Sequence, residues 1–379
     1  MFSASKSGQY QGYQISRSVR LRSSASAYFN RTLTTPTNNK IFTWSGWLKI
    51  GTIPSSREGI FVASNAGGTS FFGIEFNASA RLSLFDSNYS TSAAALITSQ
   101  VFRDPSNWYH IVMSIDTTQA TAANRYKLYV NGSQITAFSS ANYAAQNSSP
   151  YMNSAVAHSI GSWFPVTGQT LYFDGYLTEV NFIDGQALTP SSFGAYNAYG
   201  VWSPLKYNGT YGTNGFYLNF SDNSAATAAA IGKDSSGNGN NWTPNNISVT
   251  AGTTYDSMLD VPTQWADGGN GRGNYAVANP VNAASGITVS DGNLKIAASS
   301  GGSKFVNSSI TFPSSGAYYA ELTFANASTN LIGQTIGIAL GSRSLTAAYN
   351  AVGSYHFYAS NTGSLLSNGT ETGGLSAIS

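Results

Sequence analysis

Hydrophobic and polar residues alternate in short stretches along most of this chain. Between Trp108 and Asp116, residues Tyr109, Ile111, Met113 and Ile115 share one parity while His110, Val112 and Ser114 share the other, the two-residue period of a half-buried strand. Arg81 to Phe85 alternates in the same way, and WSGWLKI (Trp44 to Ile50) and FFGIEF (Phe71 to Phe76) continue the series. Near the start, Arg17, Val19 and Leu21 alternate with Ser18, Arg20 and Arg22, which predicts an opening strand with a basic, solvated outer face. Asn131-Gly132 stands between Tyr126 to Val130 and a short strand at Ile135. Asn-Gly tolerates the positive φ angles of a tight turn, so this stretch predicts a β-hairpin of fixed register. Strands roughly every ten residues, bounded by Gly, Asn, Ser or Pro, predict an all-β antiparallel β-sandwich.

Composition narrows the picture. Only 34 of 379 residues are charged and 39 are Gly, so helix formers are few and turn formers many. The 50 aromatic residues and 41% hydrophobic content still suffice for packed cores. A net charge of +2 from scattered Lys and Arg gives no basic groove, which argues against a nucleic-acid partner. Cysteine is absent, so burial and sheet pairing must hold the fold without disulfides or thiolate metal sites. The N-terminal residues show no secretory pattern and no apolar run approaches the length of about 20 residues needed for membrane insertion.

The segments RYKLYVNGSQI, HSIGSW and YFDGYLTEVNFIDGQALTPSSFG together resemble a laminin G-like, concanavalin A-like jelly roll over residues 15 to 220. The wording of the last segment is similar to proteins of marine tailed-phage virions. An N-terminal arm is expected at 1 to 14, with a connector at 221 to 262 that can dock through Trp242 and Met258. Over 263 to 379, GNYAVANPVN, DGNLKI, SGAYYAELTF and TIGIAL resemble the beginning of a SPRY-like β-sandwich, and the expectation is a partial second domain for which three readings stand: a longer parent protein, a small domain, or completion by another copy of the chain.

Jelly rolls of this kind include glycoside hydrolases, so paired carboxylates matter. The five Glu residues form no Glu-x-Asp-x-x-Glu pattern, and the odd separation of Asp174 and Glu179 predicts opposite strand faces. The three His residues are too dispersed for a metal triad, and no enzyme is expected. Asp234, Ser236 and Asn238, with Gly239 at the turn position, have the spacing of a calcium loop, although Asn245 stands where a bidentate Glu would be expected. An Asn/Gly turn is the competing reading. The resemblance further implies calcium at the sandwich rim, where Asp116, Asp174 and Asp184 are available oxygen sources that the resemblance does not assign individually.

The same resemblance implies sugar binding, in which aromatic rings cover pyranose faces while amides and carboxylates take the hydroxyls. Loops with that mixture nominate Trp163, Tyr89, Tyr143 and Tyr151 as aromatic candidates, and Asp86, Asn88, Asn142 and Asn147 as polar ones. The competing reading packs these rings under loops or in a subunit interface. The expectation is a virion-exterior protein made in the host cytoplasm, a tail fibre or appendage that binds host-surface glycan beside other virion proteins. A homo-oligomer, trimeric by analogy with phage fibres, is part of that expectation. The alternatives are a capsid-decorating or tail-assembly protein without a ligand and, less favoured, a polysaccharide-degrading tailspike.

Overall fold

Two eight-stranded antiparallel sheets account for the alternation in the sequence. The computed structural model describes residues 12–65, 67, 69–88, 91–163, 171–263, 271–299, 304–311, 322–323, 334–339, 354–359, 364–367 and 370–373. The first sheet runs β10 (Ser133–Gln134), β9 (Tyr126–Val130), β8 (Tyr109–Asp116), β3 (Ile41–Ile50), β13 (Gly175–Asp184), β1 (Ser18–Leu21) and β18 (Ser257–Met258), with β16 (Phe216–Leu218) also paired to β13. The second runs β11 (Phe138–Asn142), β7 (Thr91–Val101), β6 (Arg81–Asn88), β5 (Ser70–Phe76), β4 (Glu58–Ser64), β12 (Ala157–Ile160), β2 (Tyr28–Thr32) and β17 (Thr243–Asn245). Between them, Phe42, Trp44, Leu48, Ile111, Met113 and Leu177 meet Phe61, Phe72, Ile74, Leu84 and Leu96 in one buried core. The expected hairpin is present: Asn131 and Gly132 have φ of 47° and 82°, and Ser133 pairs with Val130. The fold is a concanavalin A-like β-sandwich, as the strand pattern and the resemblance both led us to expect.

Three features depart from the sequence reading. The basic face of β1 is buried, with Arg20 at 2% and Arg22 at 8% exposure, because Asp256 bonds to both, at 3.1 Å and 2.8 Å. The supposed connector is woven into the sandwich: Trp242 and Ile231 fill the core, β17 extends one sheet and β18 the other. Lastly, β13 carries a bulge between Thr178 and Asn181, with Glu179 at φ 51°. A bulge inserts one residue and resets strand parity, so Leu177 and Val180 both face the core despite their odd separation. The parity argument that set Asp174 and Glu179 on opposite faces therefore fails. They remain apart for another reason: five residues of strand span about 16 Å, and they have separate partners. Ser23 and Gly292 donate to Asp174, whereas Tyr217 donates to Glu179.

Beyond the sandwich, Ala278–Ala283 pairs with Val306–Ser308 and Ile287–Ser290 with Lys295–Ala298. Gln334–Ala339, Ser354–Ala359, Ser364–Ser367 and Thr370–Gly373 form a four-stranded antiparallel sheet.

Candidate functional site

The outer face of the first sheet is polar in sequence yet largely covered in the fold. Ser45, Trp47 and Lys49 of β3 point away from the core, as does His110 of β8, and all four are buried. Lys49 Nζ donates to Asp260 and Asn274, each at 2.8 Å, and to the Tyr275 carbonyl at 2.7 Å, which ties the chain after β18 to the sheet. A hairpin of β14 (Gly194–Tyr196) and β15 (Trp202–Pro204) covers the other end. Trp202 Nε1 donates to His110 Nδ1 at 2.9 Å, and the opposite ring nitrogen lies 2.9 Å from Ser45 Oγ. Burial lowers the His110 pKa to about 3, so the ring is neutral and Nδ1 is free to accept. Gly132 and Gly194 leave room for the indole, since a Cβ at either would approach it within 2.5 Å and 2.6 Å.

Between these covers, the outer parity of β8 and β9 opens into a depression of about 210 Å³ lined by Ser114, Asp116, Gln119, Asn124, Lys127, Tyr129, Ala187 and Thr189. It is smaller than the roughly 300–1,000 Å³ of drug-sized clefts. Lys127 and Asp116 are half-buried, while Gln119 and Asn124 are exposed on the rim. Burial by itself would raise the Asp116 pKa, but hydrogen bonds from Thr118 and Gln119 outweigh it and hold the carboxylate below its ordinary range. Arg125 fixes the rim by donating to the Gln119, Ala120 and Ala144 carbonyls at 2.8, 2.9 and 2.7 Å. The alternation showed the outward parity of these side chains. The wall at Ala187 and Thr189 comes from a distant loop, and the sequence carries no signal for it.

The nominated glycan residues are dispersed. Trp163 is 1% exposed. Its Nε1 donates to Glu75 at 2.7 Å, and the Arg57 guanidinium sits 4.3 Å over its ring. The nomination as a sugar platform is thus corrected: Trp163 packs on the outer face of the second sheet under Arg57. Asp86 is 5% exposed and accepts from Tyr126 Oη at 2.5 Å, while burial lifts its pKa to about 6. It braces the interior and presents no rim carboxylate. Tyr143 and Tyr151 are half-buried against the core. Asn142 and Asn147 are exposed, and the Asn147 N–H donates to the Thr117 carbonyl at 2.8 Å. With Gln146 donating to Thr118 at 3.0 Å, the 143 to 148 loop buttresses the rim of the depression. Tyr89 and the Asn88 side chain lie outside the described residues.

The calcium-loop residues form a turn. Asp234 Oδ1 accepts from the Tyr217 and Ser236 amides, and Oδ2 from Ser236 Oγ and the Asn240 amide, at 2.8 to 2.9 Å. Asn238 donates its amide to the Gly212 and Gly215 carbonyls. With four donors on Asp234, the three side chains are committed to an Asn/Gly turn, and the calcium reading of that segment is withdrawn. Asp184 is equally occupied: Thr37, Asn38 and Asn214 amides and Asn153 Nδ2 all donate to it, tying four chain segments together. Among the described residues, no three His, Asp or Glu side chains gather as a metal centre would require.

Residues 22–192 match the family described as the concanavalin A-like lectin/glucanases superfamily. Solved structures similar to this chain include a candidate carbohydrate-binding protein from Bacteroides ovatus, at 12% identity and TM-score 0.40, covering 62% of this chain and 59% of that one. The chain thus spans somewhat over half the length of that protein. A heptameric SAP-like pentraxin from Limulus polyphemus is similar at 16% identity and TM-score 0.32, covering 48% of this chain and 76% of that one. The CBM40 module of a Ruminococcus gnavus sialidase, solved with sialyllactose, is similar at 13% identity and TM-score 0.29, covering 45% and 88%. No curated protein sequence matches the chain.

Proposed function

We propose that this protein binds glycan without cleaving it, through the depression between β8, β9 and the Ala187–Thr189 wall. The carrying observation is the lining of that depression: a cation, a carboxylate, two amides and two hydroxyls arranged over Tyr129. That mixture suits a hydroxyl-rich ring with one apolar face. The lectin/glucanases family match over residues 22–192 supports the same ligand class. Non-catalytic action is favoured by the carboxylates themselves. Asp86, Asp184, Asp234, Asp256 and Asp260 accept hydrogen bonds or ion pairs from the protein and are buried in structural networks.

The finer reading is a phage tail fibre or related appendage recognising host-surface glycan in many copies, so that weak single sites gain by effective concentration. Its support is the wording of the Tyr172 to Gly194 segment, and the SPRY-like stretch after residue 263 belongs to the same reading. The second reading, a capsid-decorating or tail-assembly protein without ligand, is favoured by the burial of Trp163 and Asp86. A glycan array probed with the full chain separates them. Saturable binding that Lys127→Ala combined with Asn124→Ala abolishes supports the glycan reading and this site. Silence on the array and on host cells, with retained incorporation into particles, supports the structural one.

A further inference from the structure

The outer face of the second sheet carries a cation whose hydrogen-bonding capacity is largely unspent. Arg57, just ahead of β4, lays its guanidinium 4.3 Å over the Trp163 ring and 5.1 Å over that of Phe85. Its Nε donates to both Glu75 carboxylate oxygens at 2.9 Å. Neither terminal nitrogen, Nη1 or Nη2, donates to a group among the described residues. A guanidinium offers five N–H donors and ordinarily grips a carboxylate through two parallel bonds. Here a single donor serves Glu75, and the others stand at the open end of a side chain that is 38% exposed.

The surroundings hold that cation in place. Glu75 is fully buried and also accepts from Trp163 Nε1 at 2.7 Å, so carboxylate, indole and guanidinium close one set of contacts. Ring stacking and the Nε bond fix the plane of the guanidinium, which lessens the side-chain entropy lost when a ligand binds. Phe71, edge-on to Trp163 at 5.2 Å, and Phe85 are half-buried and give the neighbourhood apolar walls. The flanking strands bring no second charge to Glu75: Gly59 of β4 and Ser83 of β6 stand opposite it. Glu58 accepts instead from the Asp174 N–H, and Arg81, further along β6, donates to the Thr98 carbonyl at 3.2 Å. Burial outweighs Arg57 and Trp163 and lifts the Glu75 pKa to about 7, so near neutrality Arg57 is only partly compensated.

We propose that Arg57 is an oxyanion receptor: its outward Nη1 and Nη2 take the carboxylate of an acidic ligand whose apolar body lies against Phe71 and Phe85, with Glu75 as the counter-charge behind. The guanidinium fork matches a carboxylate bidentately. An arriving anion favours the protonated form of Glu75, and by linkage a protonated Glu75 favours the anion to the same degree. As pH falls through about 7, Glu75 gains its proton, the pair passes from neutral towards a single positive charge, and binding tightens. The site lies on the opposite side of the sandwich from the depression on β8 and β9, so its test is independent of the glycan reading.

The test is a ligand-observed NMR titration of the full chain with benzoate and, as a probe of the fork alone, acetate. We expect saturable binding, benzoate tighter than acetate, with affinity about threefold or more higher at about pH 6 than at about pH 8. Glu75→Gln keeps an acceptor for both donors and removes the proton, so its affinity stays level across that range at the value the wild type shows in acid. Arg57→Lys keeps the charge, loses the fork, and binds about fivefold or more weakly; near-ultraviolet circular dichroism shows whether both variants keep the packed fold. Absence of saturable binding by the wild type at the acid end, acetate bound as tightly as benzoate, undiminished affinity in Arg57→Lys, or a pH dependence that survives in Glu75→Gln overturns the proposal.

Discussion

Trp163 shows how far a residue's type stands from its role. In the sequence it is the aromatic best suited to stack on a sugar. In the fold its ring lies under Arg57 and its N–H is committed to Glu75. Truncating a buried Trp typically costs about 3–5 kcal/mol. Trp163→Ala is therefore expected to lower the unfolding free energy from urea denaturation by that order while glycan binding per folded molecule stays unchanged; a selective loss of binding would restore it as a platform. Glu179 makes a second prediction at this scale. Its carboxylate accepts from Tyr217 Oη at 2.8 Å, yet burial raises its pKa from 4.5 to about 7. The folded state therefore holds this proton more tightly than the unfolded state does. Its contribution is most favourable below pH 4.5, declines as pH rises towards 7, and is level above. The stability of Glu179→Gln relative to wild type should accordingly rise between those limits and plateau beyond them, as followed by thermal melts across pH.

At the scale of elements, the 221 to 262 segment matters most. Its polarity and Gly/Asn content read as a connector, whereas Trp242 is fully buried, Asp256 is shared by Arg20 and Arg22, and Asp260 pairs with Lys49. Breaking a buried pair by removing one partner typically costs about 3–5 kcal/mol. Asp256→Asn is expected to show a loss of that order in denaturant unfolding. A fragment ending at residue 220 should fail to melt cooperatively, because it leaves the Trp242 cavity open and three cations unpaired. A cooperative melt of that fragment would mean the segment merely lies on the surface. The bulge in β13 is the other lesson at this scale. Alternation reads as continuous through YLTEVNF, and only the pairing with β3 reveals that Glu179 is the inserted residue.

For the molecule as a whole, low charge has a consequence for recognition. With a net charge of +2, little field extends into solvent. Attachment to glycan or to cells should change little between about 50 and 500 mM salt, over which screening shortens the range of surface charges severalfold; a steep salt dependence in a binding isotherm would point to an ionic partner instead. The sequence by itself determined the sandwich, because strand alternation, Asn-Gly at the hairpin and Gly-rich punctuation are local signals that the backbone obeys wherever it is placed. Only the tertiary structure decided the rest: that the basic face of β1 is buried against Asp256, that Trp163 is covered, that Asp234 closes a turn, and that Ala187 and Thr189 wall a depression on β8 and β9. The physical reason is that burial and hydrogen-bond partnership are properties of pairs far apart in the chain. Arg20 and Asp256 are 236 positions apart, and neither residue's neighbours in sequence carry any trace of the other.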